Sequence, residues 1–308
     1  MLVITQLAIL FASMGVLVYF ANKLIDSASR IARATGISEV IIGMTLVAYG
    51  TSLPEFAVSV MSSYKAHPVL SVANVVGSNI CNMALIIGII ALIHPIRHRD
   101  ETLWKKDGMF MLGGVTLLII MSILGGIGRM VGAAMFAAVV LFNFYLIMGE
   151  RSKKTATDGT VNVMREVGLT AVSISGVLMG ANFTVNSAVN ISTMLGTPEW
   201  LIGATIVAIG TSLPELTLGI MAAMKGRIMM SLGDIVGANY INILWGLGFA
   251  SMVRPITIDF AAIWTDLVFL FVISLVFIRE LKKMETTRRD GIMLLGLYAA
   301  FLIHLLIY

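Results

Sequence analysis

The sequence predicts an all-α membrane protein of ten transmembrane helices, built as two five-helix repeats of inverted topology with helices 2, 3, 7 and 8 broken. Three observations carry that prediction. Of 308 residues, 58% are hydrophobic and 12% charged, too little charge for a water-facing surface. Ten apolar segments can be cut from the chain, each of roughly the 20 residues needed to cross a bilayer. The chain also matches itself at an offset of 160 residues.

The segments run near 2–29, 39–64, 69–93, 106–125, 130–149, 164–193, 200–224, 229–252, 260–278 and 290–307. The first opens without a basic stretch and lacks a small-x-small cleavage pattern followed by polar sequence, so it reads as a retained helix rather than a signal peptide. Alternating the connections places 17 of the 21 Lys and Arg on one side and Lys65, Arg129 and Arg254 on the other, with Lys23 inside the first span. That asymmetry puts the basic side in the cytoplasm of a plasma-membrane protein and both termini outside. The net charge of +4 is thereby used for orientation, and no nucleic-acid partner is expected. Cys81 is the sole cysteine, which excludes an intramolecular disulfide, and no Cys/His spacing suggests zinc or iron.

The self-match runs without a gap from residue 21 to 96. Ala21-Asn22 and Ser27-Ala28 recur as Ala181-Asn182 and Ser187-Ala188; Gly36 and Glu39 as Gly196 and Glu199; Pro95-Ile96 as Pro255-Ile256. Between Gly43 and Ile96 there are 20 identities in 54 positions, against roughly 5 to 8 expected from apolar composition alone. Five spans is an odd number, so the second copy enters the membrane from the opposite face. The charges agree, because Arg30 and Arg33 align with Asn190 and Thr193. The domains expected are a first repeat over 1–150 with its motif at 43–82, a cytoplasmic linker over 151–163, and a second repeat over 164–308 with its motif at 203–242.

Segments 2 and 7 carry the chemistry. Each contains Gly-Thr-Ser-Leu-Pro-Glu, at Gly50–Glu55 and Gly210–Glu215. Proline removes one backbone hydrogen bond of the helix and displaces the carbonyl four residues earlier, so a broken helix is expected at each motif. Irregular backbone is tolerated at membrane depth where it lines a cavity or binds something. Carbonyl, hydroxyl and carboxylate oxygens together suit a hard cation such as Ca²⁺ or Na⁺. One buried Pro-Glu would read as a kink with a structural acid; two in register read as one site made from two halves. Their carboxylates repel unless a divalent ion, sodium ions or protons neutralise them, and competition among these is a physical basis for exchange.

Segments 3 and 8 add Gly77-Ser-Asn-Ile-Cys-Asn82 and Gly237-Ala-Asn-Tyr-Ile-Asn242, whose three-residue spacing places Asn79 and Asn82 on one helix face. Asp234 aligns with Asn74 and adds an acid in one half, for ion binding or for the cytoplasmic entrance. Asp26 reads as an interfacial acid paired with a base, and Asn182, Asn186 and Asn190 form a stripe facing a water path or a helix. The 21 methionines read as packing and the four histidines as interfacial.

The paired hexapeptides, with Gly-Ser-Asn-x-x-Asn and Gly-Ala-Asn-x-x-Asn at equal distance after them, resemble the two α-repeats of the cation/Ca²⁺ exchanger superfamily, and prokaryotic Na⁺/Ca²⁺ exchangers in particular. The resemblance covers all ten segments. It implies that helices 2, 3, 7 and 8 form a core across which helices 1 and 6 slide. It implies that Glu55 and Glu215 clasp Ca²⁺ with Thr51 and Thr211. Na⁺ sites would draw on Ala48, Ser52, Ser78, Ala208, Ser212 and the two glutamates, with Asn82 and Asn242 closing the middle. The chain departs from the family at Ala238, often Ser; at Asn242, Asp in some relatives; and at Asp234, commonly Asn. These departures bear on the coupling ion.

The function expected is secondary antiport of Ca²⁺ against Na⁺ by alternating access, the alternative being a Ca²⁺/H⁺ exchanger of the same fold. The partners are the bilayer and the transported ions, with no resident cofactor, and the chain is expected to be a monomer. An intramembrane hydrolase would need an activated nucleophile or an asymmetric acid/base couple, and neither is present in the sequence. A channel has little use for two inverted halves meeting at one midplane site.

Overall fold

The computed structural model describes residues 2–65, 68–151, 161–196 and 208–307. The chain is helical almost throughout: α1 (Leu2–Thr35), α2 (Glu39–Thr51), α3 (Leu53–Tyr64), α4 (Leu70–Ile93), α5 (Leu103–Ile123), α6 (Arg129–Gly149), α7 (Val163–Met194), α8 (Ala208–Thr211), α9 (Leu213–Met224), α10 (Ile228–Val253), α11 (Phe260–Lys283) and α12 (Arg288–Ile307). Among the described residues eight helices are long and apolar enough to cross a membrane, and nine when α2 and α3, bent by 49°, count as one span. The short apolar helix α9 continues segment 7, whose start lies outside the described residues, as do most of the linker and His67.

α1 and α7 form an antiparallel pair. Ser13 Oγ lies 2.9 Å from Thr184 Oγ1, Ser27 Oγ 2.7 Å from Thr170 Oγ1, and Arg30 Nε donates to Glu166 Oε2 at 2.8 Å. At 34 and 32 residues these helices reach about 50 Å, well beyond a hydrocarbon core of about 30 Å, so they lie tilted or extend past it. Gly36 and Gly196 each follow such a helix at φ 69° and 78°, the left-handed conformation that glycine adopts without a Cβ penalty. Asp26 accepts from Lys225 at 2.6 Å, as an interfacial acid should.

α4 and α10 are the most enclosed of the spans. The breaks expected in helices 3 and 8 are corrected here: each runs through as one helix with a π-helical turn, at Cys81–Ile86 and Ile241–Leu247. Both sequences lack a proline at that point, so the backbone absorbs one extra residue instead of bending. α2 has its own π turn at Gly43–Val47, and the Met44 carbonyl accepts the hydroxyl of Tyr240 at 3.0 Å. Two-residue strands clip the halves together: β1 (Ile96–Arg97) pairs with β4 (Glu285–Thr286), and β2 (Gly126–Ile127) with β3 (Ile256–Thr257), both antiparallel. His98, expected at an interface, is buried, and burial lowers its pKa because the imidazolium would lose hydration.

The contact between α2 and α10 sets the spacing of the centre. A Cβ on Gly43 would stand 2.4 Å from the Met230 carbonyl oxygen, and one on Gly237 2.6 Å from Met44 Cα. Small residues there let two backbones touch. Gly43→Ala is expected to destabilise the protein by about 1–3 kcal/mol. Gly113→Ala in α5, with no neighbour within 4 Å of the new methyl, should stay within about 0.5 kcal/mol of the parent. Thermal unfolding in detergent measures both, and equal shifts would contradict the contact.

Candidate functional site

Both hexapeptides fold the same way. α2 ends at Thr51 and α3 begins at Leu53; between them Ser52 has φ −79° and ψ 8°. α8 ends at Thr211 and α9 begins at Leu213, with Ser212 at φ −89° and ψ 11°. Pro54 and Pro214 sit in the first turn of the helix that follows, where the missing N–H costs nothing. Thus proline starts a new helix instead of kinking an old one. Glu55 and Glu215 lie in those same first turns, at the positive end of each helix dipole.

The two halves hold each other's acid. Ser52 Oγ donates to Glu215 Oε1 at 3.3 Å, and Ser212 Oγ donates to Glu55 Oε1 at 3.3 Å. Ser78 Oγ adds a third contact to Glu55 Oε1 at 3.4 Å, which Ala238 has no hydroxyl to repeat. Both carboxylates are buried, and each keeps one oxygen, Oε2, with no hydrogen-bond partner. A bare buried carboxylate oxygen is costly. Two carboxylates buried at one centre also repel each other. A cation between them would remove both penalties at once.

Amides close the centre. Asn242 Nδ2 donates to Asn79 Oδ1 at 3.1 Å, and Asn79 Nδ2 donates to the Asn239 carbonyl at 2.9 Å. Asn82 is buried with its side-chain nitrogen and oxygen both without a partner, and Asn239 Oδ1 is likewise unpartnered. Among the described residues no three His, Cys, Asp or Glu side chains are placed to hold a metal. The donors at the centre are the two glutamate carboxylates with hydroxyls and amides, and the Asp234 carboxylate reaches them through Thr51, oxygen-rich donors of the kind a hard, labile cation takes and a soft metal does not.

Asp234 and Asn74 part company here. Asn74 Nδ2 donates to the Glu55 carbonyl at 3.0 Å and to Ser59 Oγ at 3.1 Å. A carboxylate cannot donate in that way, and Asp234 Oδ1 accepts instead from the Thr51 hydroxyl at 3.3 Å, leaving Oδ2 unpartnered. The charge asymmetry is thus carried to Thr51 on the opposite half. The Ala48 carbonyl accepts from the Ser52 amide at 3.0 Å and the Thr51 hydroxyl at 3.4 Å. Ala208 is described only as the first residue of α8. Thr211, Asn74 and Ser78 line one cavity of about 410 Å³, walled also by Tyr298, Phe301 and Asp266.

Sequence reading missed one supporting chain. Tyr240 Oη donates to Asn143 Oδ1 at 2.8 Å, and Asn143 Nδ2 donates to Tyr49 Oη at 2.8 Å. A lone asparagine in the apolar segment 5 was the available signal. The asparagine stripe of α7 stays exposed, with Asn186 donating to Asn182 at 2.6 Å and Asn190 reaching Gln6 at 3.4 Å.

The chain is similar to known proteins over nearly its whole length. The family described as sodium/calcium exchanger protein matches residues 5–148 and 166–307. The chain is 28% identical over 339 aligned residues to the sodium/calcium exchanger MaX1 of Methanosarcina acetivorans, covering 96% of this chain and 97% of that one. It is 32% identical to the inner membrane protein YrbG of Escherichia coli, over 88% of this chain and 86% of that one. Among solved structures it resembles the sodium-calcium exchanger NCX_Mj soaked with 10 mM Na⁺ and zero Ca²⁺, at TM-score 0.86 and 30% identity over 97% of this chain and 98% of that one. Two of these, MaX1 and NCX_Mj, are named sodium/calcium exchangers. With the family matched across both halves, this chain is a multi-pass membrane protein that belongs to the sodium/calcium exchanger family.

Proposed function

We propose that the protein is a Na⁺/Ca²⁺ antiporter working by alternating access, with one Ca²⁺ held between Glu55 and Glu215. The observation that carries this reading is the reciprocal Ser52–Glu215 and Ser212–Glu55 pairing, which leaves two buried carboxylate oxygens bare at the same centre. Thr51 and Thr211 complete the Ca²⁺ ligands; Ala48, Ser52, Ser78, Ala208 and Ser212 serve Na⁺; Asn82 and Asn242 close the middle. Asp234 tunes the site through the Thr51 hydroxyl. The names of MaX1 and NCX_Mj support sodium and calcium as the exchanged ions.

Exchange follows from charge balance. The two glutamate carboxylates in a low-dielectric centre call for about two positive charges, which one Ca²⁺ or two Na⁺ supply, and an ionised Asp234 beside Thr51 calls for one more. Each serine hydroxyl that now donates to a carboxylate can turn its lone pairs to an arriving cation, so a filled site draws both broken helices toward the ion. Only the neutralised site changes face at low cost, and this couples the two ions.

In the same reading the ten helices are two inverted repeats, 1–150 and 164–308, joined by a cytoplasmic linker over 151–163. Both termini face outward in the plasma membrane, and the unit is a monomer. The 160-residue self-match and the 17-to-3 division of basic residues between the two sides support that arrangement. The antiparallel α1–α7 pair, bonded within itself at Arg30–Glu166 and to the core at Asp26–Lys225, is the natural sliding unit.

Three outcomes are expected. Glu55→Gln and Glu215→Gln each lower Ca²⁺ uptake by at least ~100-fold, because a buried charge is left without its partner (about 3 kcal/mol or more); uptake like that of the parent in either would end this account. In proteoliposomes a Na⁺ gradient at clamped pH drives Ca²⁺ flux, and flux driven only by a pH gradient would assign the coupling to H⁺ instead. Ala238→Ser supplies the hydroxyl that Ser78 already provides and lowers the half-saturating Na⁺ concentration roughly 5-fold, about one hydrogen bond's worth. An unchanged Na⁺ dependence would remove position 238 from the site.

A further inference from the structure

A second polar cavity lies away from the glutamate pair, at the ends of α2, α5 and α6. It measures about 210 Å³ and is lined by Ser38, Asp100, Thr102, Lys106, Asp107 and Tyr145, with Val40, Ile41, Leu146 and Gly149. The basic connections assign this face to the cytoplasm. Asp107 is the unusual member. It is 3% exposed, its Oδ1 has no hydrogen-bond partner, and no ion pair among the described residues includes it. Asp100 stands at the same cavity with its carboxylate oriented, Oδ1 accepting from the Thr102 amide at 2.9 Å and the Thr102 hydroxyl at 2.6 Å. Lys106, the one base in the lining, places its ammonium 4.0 Å from the centre of the Tyr145 ring, where the ring face binds it.

Two carboxylates, hydroxyls and room for several waters, at roughly 30 Å³ each, describe the surroundings of a hydrated hard cation. A buried carboxylate oxygen with no hydrogen-bond partner needs such a cation or a proton. We infer that this cavity binds a hydrated divalent cation, Ca²⁺ or Mg²⁺, between Asp107 and Asp100, as a site separate from the transport centre. The ion would tie the start of α5 to Ser38 at the N-cap of α2, the helix that ends at Thr51. Cytoplasmic divalent cation would then be read at the base of the helix that carries the transport ligands.

Ca²⁺ titration calorimetry on the purified full chain tests this, with Tb³⁺ luminescence excited through Trp104 and Tyr145 as a second readout. In the Glu55→Gln/Glu215→Gln double variant one Ca²⁺ equivalent per chain is expected to remain. Adding Asp107→Asn abolishes it, and adding Asp100→Asn weakens it roughly 10-fold. Asp100 is partly exposed, so its variant carries the test should the Asp107 variant fail to fold. No remaining equivalent, or one that survives both substitutions, would overturn the proposal; the second result would mean that Asp107 is simply a buried protonated acid. If the parent's full binding persists in the double glutamate variant, the transport-centre reading fails instead, and loss of one equivalent on Asp107→Asn still supports this site.

Discussion

Two glutamates placed at the centre of an apolar chain are the constraint on which the rest of the structure depends. Glu55 and Glu215 are buried, each spends one oxygen on a serine from the other half, and each keeps one oxygen bare. A carboxylate in that position is stable only when dipoles, hydroxyls and cations are organised around it. The helix breaks at Ser52 and Ser212 supply the dipoles and hydroxyls. The glycines of α2 and α10 bring the backbones close enough for the two halves to share one centre. α4 and α10 surround it with buried amides.

The exchange of partners between the halves has a mechanical meaning. Because each serine holds the other repeat's acid, neither broken helix can move without altering both carboxylates. A site wired in that way responds to a cation as a unit. Symmetry then fails in two places, and both failures concern donors. Ser78 has a hydroxyl on Glu55 where Ala238 offers none to Glu215, and Asn74 donates to the Glu55 carbonyl where Asp234 must accept from Thr51. One half is thus richer in donors and the other richer in charge.

Much of this was legible before any coordinates. Gly-Thr-Ser-Leu-Pro-Glu occurring twice marks the candidate site because acids, prolines and hydroxyls are expensive in an apolar span unless used. The breaks in helices 2 and 7 follow from Pro54 and Pro214, although proline acts by starting the next helix. The breaks expected in helices 3 and 8 had no such residue behind them, and a π turn stands in each place. Asn143 went unread because one asparagine in a hydrophobic segment says nothing of which tyrosines it will meet.

Composition, periodicity and self-match by themselves determined that the chain lives in a bilayer, that its halves are related, and which short segments carry charge into it. These are properties of local sequence, since burying a segment or breaking a helix is decided by the residues within it. Only the tertiary structure decided that Ser52 serves Glu215 and Ser212 serves Glu55, that Asp234 speaks to Thr51, and that Asp107 and Asp100 share a cavity. Those pairings join positions up to 183 residues apart. Which side chains meet at such separations depends on how the helices pack, and packing is a property of all the helices together.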